Sequence, residues 1–336
     1  MSRILSLFLF SYVFSANASE AMPEPLVVEG RTMGTTYRIQ YFDEPLRRNF
    51  KESIDSLLVR LNASINNYDP KSDISRFNRS RKGTRPRLGY LCDILSKARD
   101  IYEASGGAFD PTVGPLINTW GFGPENSSPP SASRIDSMKQ LVGLEKVSSS
   151  KHRISKSIAG VQLDMGGIGQ GYGADVIVAF LRQKGVSDML VELGGEGMAL
   201  GRNLKKDQYW TIAILDPNSS RDNQYYKAYV VLRNQAFTTS GNYFNYRVIE
   251  GRKYGHTIDP FSGYPVQHSL LSASVFADNA TLADGWATAF MVMGLEKAMA
   301  KIRILKNVEA IFFYSDATGK IATYVTPGIV DQVTLE

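Results

Sequence analysis

The sequence predicts an α+β fold. Segments with apolar residues at helical spacing and segments that alternate polar and apolar are both frequent along its 336 residues. They are mixed without the regular strand–helix–strand alternation of a doubly wound sheet. No period of 20–50 residues repeats, so a solenoid or propeller is excluded.

The elements follow in chain order. Thr36 to Phe42 alternates and reads as a strand, and Pro45 to Ala63 carries Phe50, Ile54, Leu57, Leu58 and Leu61 at helical spacing. Asn66 to Arg87 is polar and reads as a loop, followed by a long helix over Leu88 to Ala104 that encloses Cys92. Met138 to Val147 passes from helix into strand, and Gly169 to Lys184 is a helix entered from a glycine-rich turn. From Ser187 to Tyr264 strands dominate, at Met189–Leu193, Tyr209–Leu215, Ala228–Leu232 and Phe237–Thr239. Helices return at Thr281–Met293 and Leu295–Ile304, and a strand follows at Ala310–Tyr314.

Composition narrows the chemistry. With 43% hydrophobic and 21% charged residues the chain is that of a folded globular protein, not a disordered or fibrous one. Cys92 is the only cysteine, which excludes an intramolecular disulfide, a zinc ribbon and an iron–sulfur cluster. His152, His256 and His268 are too few for a histidine-rich centre, so a bound metal is expected to be a hard, oxygen-liganded cation. The net charge is +5, and much of the excess sits in Arg79, Arg81, Lys82, Arg85 and Arg87. No nucleic-acid motif accompanies that run, so it reads as a solvated loop, with docking on an anionic surface as the lesser reading.

At the N-terminus, Arg3 precedes the apolar stretch Ile4 to Phe14, and Ala16-Asn17-Ala18 follows as a small-x-small cleavage pattern. Eleven residues are too short to span a bilayer, which takes about 20. Residues 1–18 are therefore expected to be a signal peptide, with residues 19–336 exported as the mature protein, periplasmic in a Gram-negative source. No cysteine follows the apolar stretch to take a lipid, and no later segment reads as transmembrane.

Four segments have residues suited to chemistry. Leu163-Asp164-Met165-Gly166-Gly167-Ile168-Gly169-Gln170-Gly171 runs into a helix. It is either a tight strand-to-helix connection or a place where bare amides meet an anion at the positive helix end. Its spacing fits neither a dinucleotide fingerprint nor a Walker loop. Leu193-Gly194-Gly195-Glu196-Gly197 reads as a hairpin or bulge. Asp284 and Thr288 stand four apart, on one helix face, as a possible hard-cation pair; a solvated Asp and a back-bonded Thr are the bland alternative. His256 is a candidate base in Tyr254-Gly255-His256-Thr257-Ile258-Asp259-Pro260, where Asp259-Pro260 with Gly263 reads as a turn.

Taken together and in order, these segments resemble the ApbE-type flavin transferases. The resemblance starts at Met33-Gly34-Thr35 and runs through Asn67-Tyr68-Asp69-Pro70, Ser75-Arg76-Phe77-Asn78 and Gly106-Gly107-Ala108-Phe109-Asp110-Pro111-Thr112. It continues through Asp164 to Tyr172, Leu193 to Gly197, Thr239-Ser240-Gly241, His256 to Pro260 and Ala283 to Thr288. It implies one T-fold-related unit with a nucleotide cleft between two halves. It also implies an Mg²⁺-dependent enzyme that takes FAD as substrate, attaches FMN through a phosphoester to a Thr or Ser of a protein, and releases AMP. The acceptor would be a subunit of a membrane redox complex outside the cytoplasm. By the same resemblance, Met33, Tyr68, Ala108, Phe109, Asp110, Asp164, Gln170 and Ile258 contact the flavin nucleotide. Asp284 and Thr288 hold the metal, with backbone help near Gly167 and Ala287, and His256 activates the acceptor hydroxyl. At Gln170 many relatives carry Lys, and at Gly169 many carry Ala. Two other readings remain open: hydrolysis of FAD to FMN and AMP, and flavin binding without chemistry.

Overall fold

The computed structural model describes residues 22–123, 130–220, 222–242, 246–249 and 251–336. The expected leader over residues 1–18 lies outside the described residues.

The fold is α+β, built on one eight-stranded sheet. Its strands are Leu26–Thr32, Thr35–Tyr41, Met189–Leu193, Glu196–Leu200, Ala236–Gly241, Leu270–Ala277, Val308–Ser315 and Ile321–Val325, side by side in that order. Spatial order equals chain order, and every neighbouring pair is antiparallel. Two of the joins are two-residue turns, Met33-Gly34 and Gly194-Gly195, and all four residues have positive φ, as tight hairpin turns demand. The second glycine cluster is thus the hairpin its sequence suggested.

Helices cover one face of this sheet, and a three-stranded sheet (Trp210–Leu215, Tyr226–Leu232, Val333–Leu335) serves the other. The helix-side core runs from Val28 to Phe312 and includes Ile54, Leu61, Ile177, Trp286 and Phe290. Phe237, Phe276, Ile311 and Phe313 point the opposite way, toward Trp210 and Val230. Leu270–Ala277 was not legible as a strand because both of its faces are buried: Ala273, Val275 and Ala277 under the helices, Phe276 against the small sheet. A strand buried on both sides loses its alternation.

Three expected elements differ in extent. The first helix begins at Lys51, not Pro45. The Asp43 carboxylate accepts from the Arg48 amide at 2.9 Å and its Nε at 2.8 Å, and this pins a turn ahead of the helix. The polar stretch Asn66 to Arg87 contains a helix, Asp73–Arg79, whose N-cap Ser72 accepts from the Ser75 amide. Arg87 donates to buried Asp73 and Arg79 to the Pro70 carbonyl, so two members of the basic run hold this helix in place. Between Met138 and Val147, the helix Ala132–Lys139 gives way to a short 3₁₀ turn at Leu144–Lys146 before the strand Val147–Ser150.

One clasp sets up the site. Asn78, near the end of the Asp73–Arg79 helix, accepts from the Leu163 amide at 2.8 Å and donates to the Leu163 carbonyl at 2.9 Å. The segment entering the glycine-rich turn is thereby fixed on both backbone groups.

Candidate active site

The glycine-rich turn lies against the helix Ala280–Met293. Gly171 has no room for a side chain: a Cβ there would stand 2.2 Å from the Ala280 carbonyl and 2.7 Å from Asp284 Cβ. At Gly167 a Cβ would meet Thr288 Oγ1 at 2.7 Å. The close approach is used. The Gly171 amide donates to Asp284 Oδ2 at 3.0 Å, and the Thr288 hydroxyl donates to the Gly167 carbonyl at 3.3 Å. Asp175, one turn further along the glycine helix, accepts from the amides of Ala280 and Thr281 and from the Thr281 hydroxyl, which locks the two helix starts together.

Asp284 is 4% exposed, and burial raises its carboxyl from 3.8 to about 7. Glu196, just after the Gly194-Gly195 turn, is raised well above its ordinary range by burial and by the charge of Asp284. The Asp284 carboxylate, the Thr288 hydroxyl and the Gly167 carbonyl make an all-oxygen donor set, which suits a hard divalent cation such as Mg²⁺. Among the described residues no group of three or more His, Cys, Asp or Glu forms a metal cluster, so waters or substrate oxygens would complete the coordination. Ala287 is fully buried one position before Thr288, leaving only its backbone for such a role.

A second set of hydrogen bonds converges on Asp164. Its carboxylate accepts from Asn67 Nδ2 and from the Gly166 amide, both at 2.7 Å, while its own amide donates to the Pro111 carbonyl at 2.7 Å. Three distant segments therefore meet at one residue. Burial raises the Asp164 carboxyl. Asp110, which precedes Pro111 in sequence, is buried, accepts from the amide and hydroxyl of Thr112, and is raised by burial to about 6. Ala108 and Phe109 are buried in the core, and the Phe109 amide donates to Ser105 Oγ. Tyr68 is 68% exposed, which leaves its ring open to stacking. Met33 sits in the first hairpin turn at φ 49°, and its Cε lies 3.5 Å from where a Gly173 Cβ would stand. Gln170 is half-buried at the second position of the glycine helix.

The third group lies around Ile258, which is buried with Leu116, Trp120, Ile135 and Val142. His256 is half-buried after the strand Arg252–Gly255, and its neighbour Thr257 donates to Asn242 Oδ1 at 2.9 Å. The expected turn is present: Gly263 donates its amide to the Asp259 carbonyl, and Asp259 caps the amides of Phe261 and Ser262. Tyr68 reaches this group by donating to the Phe122 carbonyl at 3.3 Å.

Sequence reasoning missed Glu196, Asn67 and Asp175. Glu196 was hidden in a hairpin motif, and only its position directly after two glycines signalled a carboxylate turned inward. Asn67 and Asp175 act through partners about a hundred residues away, which no local pattern shows.

Comparison with known proteins gives a consistent result. The sequence model of the ApbE family matches residues 33–312. The FAD:protein FMN transferase of Escherichia coli K12 is 34% identical over 313 residues, covering 90% of this chain and 88% of the relative. That of Haemophilus influenzae is 31% identical over 312 residues, covering 89% and 90%. Among solved structures, the flavin transferase ApbE from Vibrio cholerae superposes with a TM-score of 0.82 at 30% identity, over 92% of this chain and 99% of that one. The flavinyl transferase ApbE of Pseudomonas stutzeri gives 0.81 at 32% identity, over 92% and 96%.

Proposed function

The chain belongs to the ApbE family, and from that premise we propose that it is a magnesium-dependent FAD:protein FMN transferase. In this reading it moves FMN from FAD to the hydroxyl of a Thr or Ser in a protein acceptor. A phosphoester forms, the pyrophosphate bond breaks, and AMP leaves. The observation that carries the proposal is the packing of Asp284 and Thr288 against the Gly167–Gly171 turn, which gathers oxygen donors where bare amides begin a helix.

Each residue then has a task. Asp284 and Thr288, with the Gly167 carbonyl and backbone near Ala287, hold the cation. A cation held there would supply neutralisation of the pyrophosphate charge. Asp164 and Asp110 accept from polar groups of the nucleotide, and Tyr68 offers an aromatic surface. Met33, Ala108, Phe109, Gln170 and Ile258 shape the remainder of the flavin-nucleotide site. His256 takes the proton from the acceptor hydroxyl, a contribution of about 10²–10⁴-fold. The sequence of residues 1–18 supports export, and the acceptor would be a subunit of a membrane redox complex on the outer side. Among the described residues no helix is long and apolar enough to cross a membrane.

Asp284→Ala tests the assignment. With FAD, Mg²⁺ and an acceptor domain, AMP release should drop by about 10² or more, in line with loss of a charge-stabilising group, while flavin binding without metal persists. Undiminished AMP release at millimolar Mg²⁺ would overturn it.

A further inference from the structure

Two buried oxygens next to this site have no partner. Glu196 Oε2 and Thr238 Oγ1 are closed to solvent and make no hydrogen bond. The main sheet brings them together. Ala236 pairs with Met198 and Phe237 with Gly197, so one register step further Thr238 stands beside Glu196. Ala236 and Met198 belong to the helix-side core while Phe237 faces the other way. Side chains alternate along a strand, so Glu196 and Thr238 both face the helices. The helix Ala280–Met293, which carries Asp284, packs on both strands, and the helix Gly169–Gln183 packs beside it on the strand of Glu196.

A carboxylate oxygen buried without a donor costs stability, and a second carboxylate at close range adds repulsion. Among the described residues no ion pair involves Glu196, and its Oε2 stays without a donor. The Gly194-Gly195 turn keeps the space clear, since a Cβ at Gly194 would lie 3.2 Å from Glu196 Oε2. A buried acceptor left in this state is the mark of a site completed by something else.

We propose that Glu196, supported by Thr238, is a further carboxylate of the Asp284 cation site, accepting a hydrogen bond from a water on the divalent cation and so positioning that cation. The inference rests on the metal-dependent reading given above. It makes Glu196 a positioning residue, acting on the cation rather than on the reacting atoms.

The test is thermal melting of the full chain with FAD over a Mg²⁺ series, for the wild type, Glu196→Gln and Thr238→Val. Without metal, Glu196→Gln should melt at or above the wild type, because the amide cannot ionise beside Asp284 and brings a donor of its own to a place with an unpaired acceptor. It should nevertheless need about 10–100-fold more Mg²⁺ for half of the metal-induced rise. Thr238→Val should shift the Mg²⁺ midpoint in the same direction by less. Flavin affinity in excess chelator should match the wild type in both, a result a purely structural role would not combine with a displaced midpoint. Midpoints within twofold of the wild type for both variants would overturn the proposal while leaving the metal-dependent reading intact. A wild type whose melting ignores Mg²⁺ would overturn both.

Discussion

Asp110 shows how a single residue can be held against its own preference. Burial is the main cause of its rise from 3.8 to about 6, and the two bonds from Thr112 only partly oppose it. The sign follows from linkage. The folded state binds the proton more tightly than the unfolded chain, so this contribution is full below pH 3.8 and is lost as pH rises through about 6. Asp110→Asn keeps the acceptor for Thr112 and removes the charge. Above pH 6 it should be more stable than the wild type, by at most about 3 kcal/mol, with the gain fading toward pH 4 in denaturant titrations. Its FAD affinity should fall, since the proposed function places Asp110 among the groups that accept from the nucleotide. Equal stability of the two proteins at pH 5 and pH 8 would sink this account of Asp110.

At the scale of elements, the contact between the glycine turn and the Ala280–Met293 helix decides the geometry of the site. Neighbouring glycines of one helix should behave in opposite ways. Gly171→Ala would drive a methyl into the Ala280 carbonyl and Asp284, costing about 1–3 kcal/mol and abolishing AMP release. At Gly169 the nearest atom to a Cβ is Ile65 Cδ1 at 3.6 Å, an ordinary contact. Gly169→Ala should be neutral or stabilising by up to about 1 kcal/mol, and active. Melting curves and an AMP assay on the pair separate these outcomes. This contact was half legible in the sequence. The i, i+4 spacing of Asp284 and Thr288 put both on one face, and the glycine density announced a close approach. What the glycines approach was not legible, since the partners lie more than a hundred residues apart. Elements with clear periodicity, such as Met189–Leu193 and Ala280–Met293, were found almost to the residue. The Asp73–Arg79 helix was missed because it is only seven residues long and shows just Ile74 and Phe77 as its buried apolar face amid polar residues.

On the scale of the whole molecule, the meander of eight antiparallel strands explains how weak, scattered motifs become one site. The hairpin turn after Leu193 delivers Glu196, the next strand delivers Thr238, and the inserted helices deliver Asp284 and the glycine turn. Asp164 ties the loops of residues 67 and 111 to the start of that turn. No single motif specifies this chemistry; the family match and the convergence together do. The central claim is group transfer, as opposed to simple hydrolysis of FAD or flavin carriage. The most direct measurement is intact-protein mass spectrometry of a Thr-containing acceptor domain incubated with this protein, FAD and Mg²⁺. The account predicts the gain of one FMN moiety on Thr, with AMP released in equal amount and both lost on chelation. Free FMN and AMP with an unmodified acceptor that other flavin transferases do modify would contradict it.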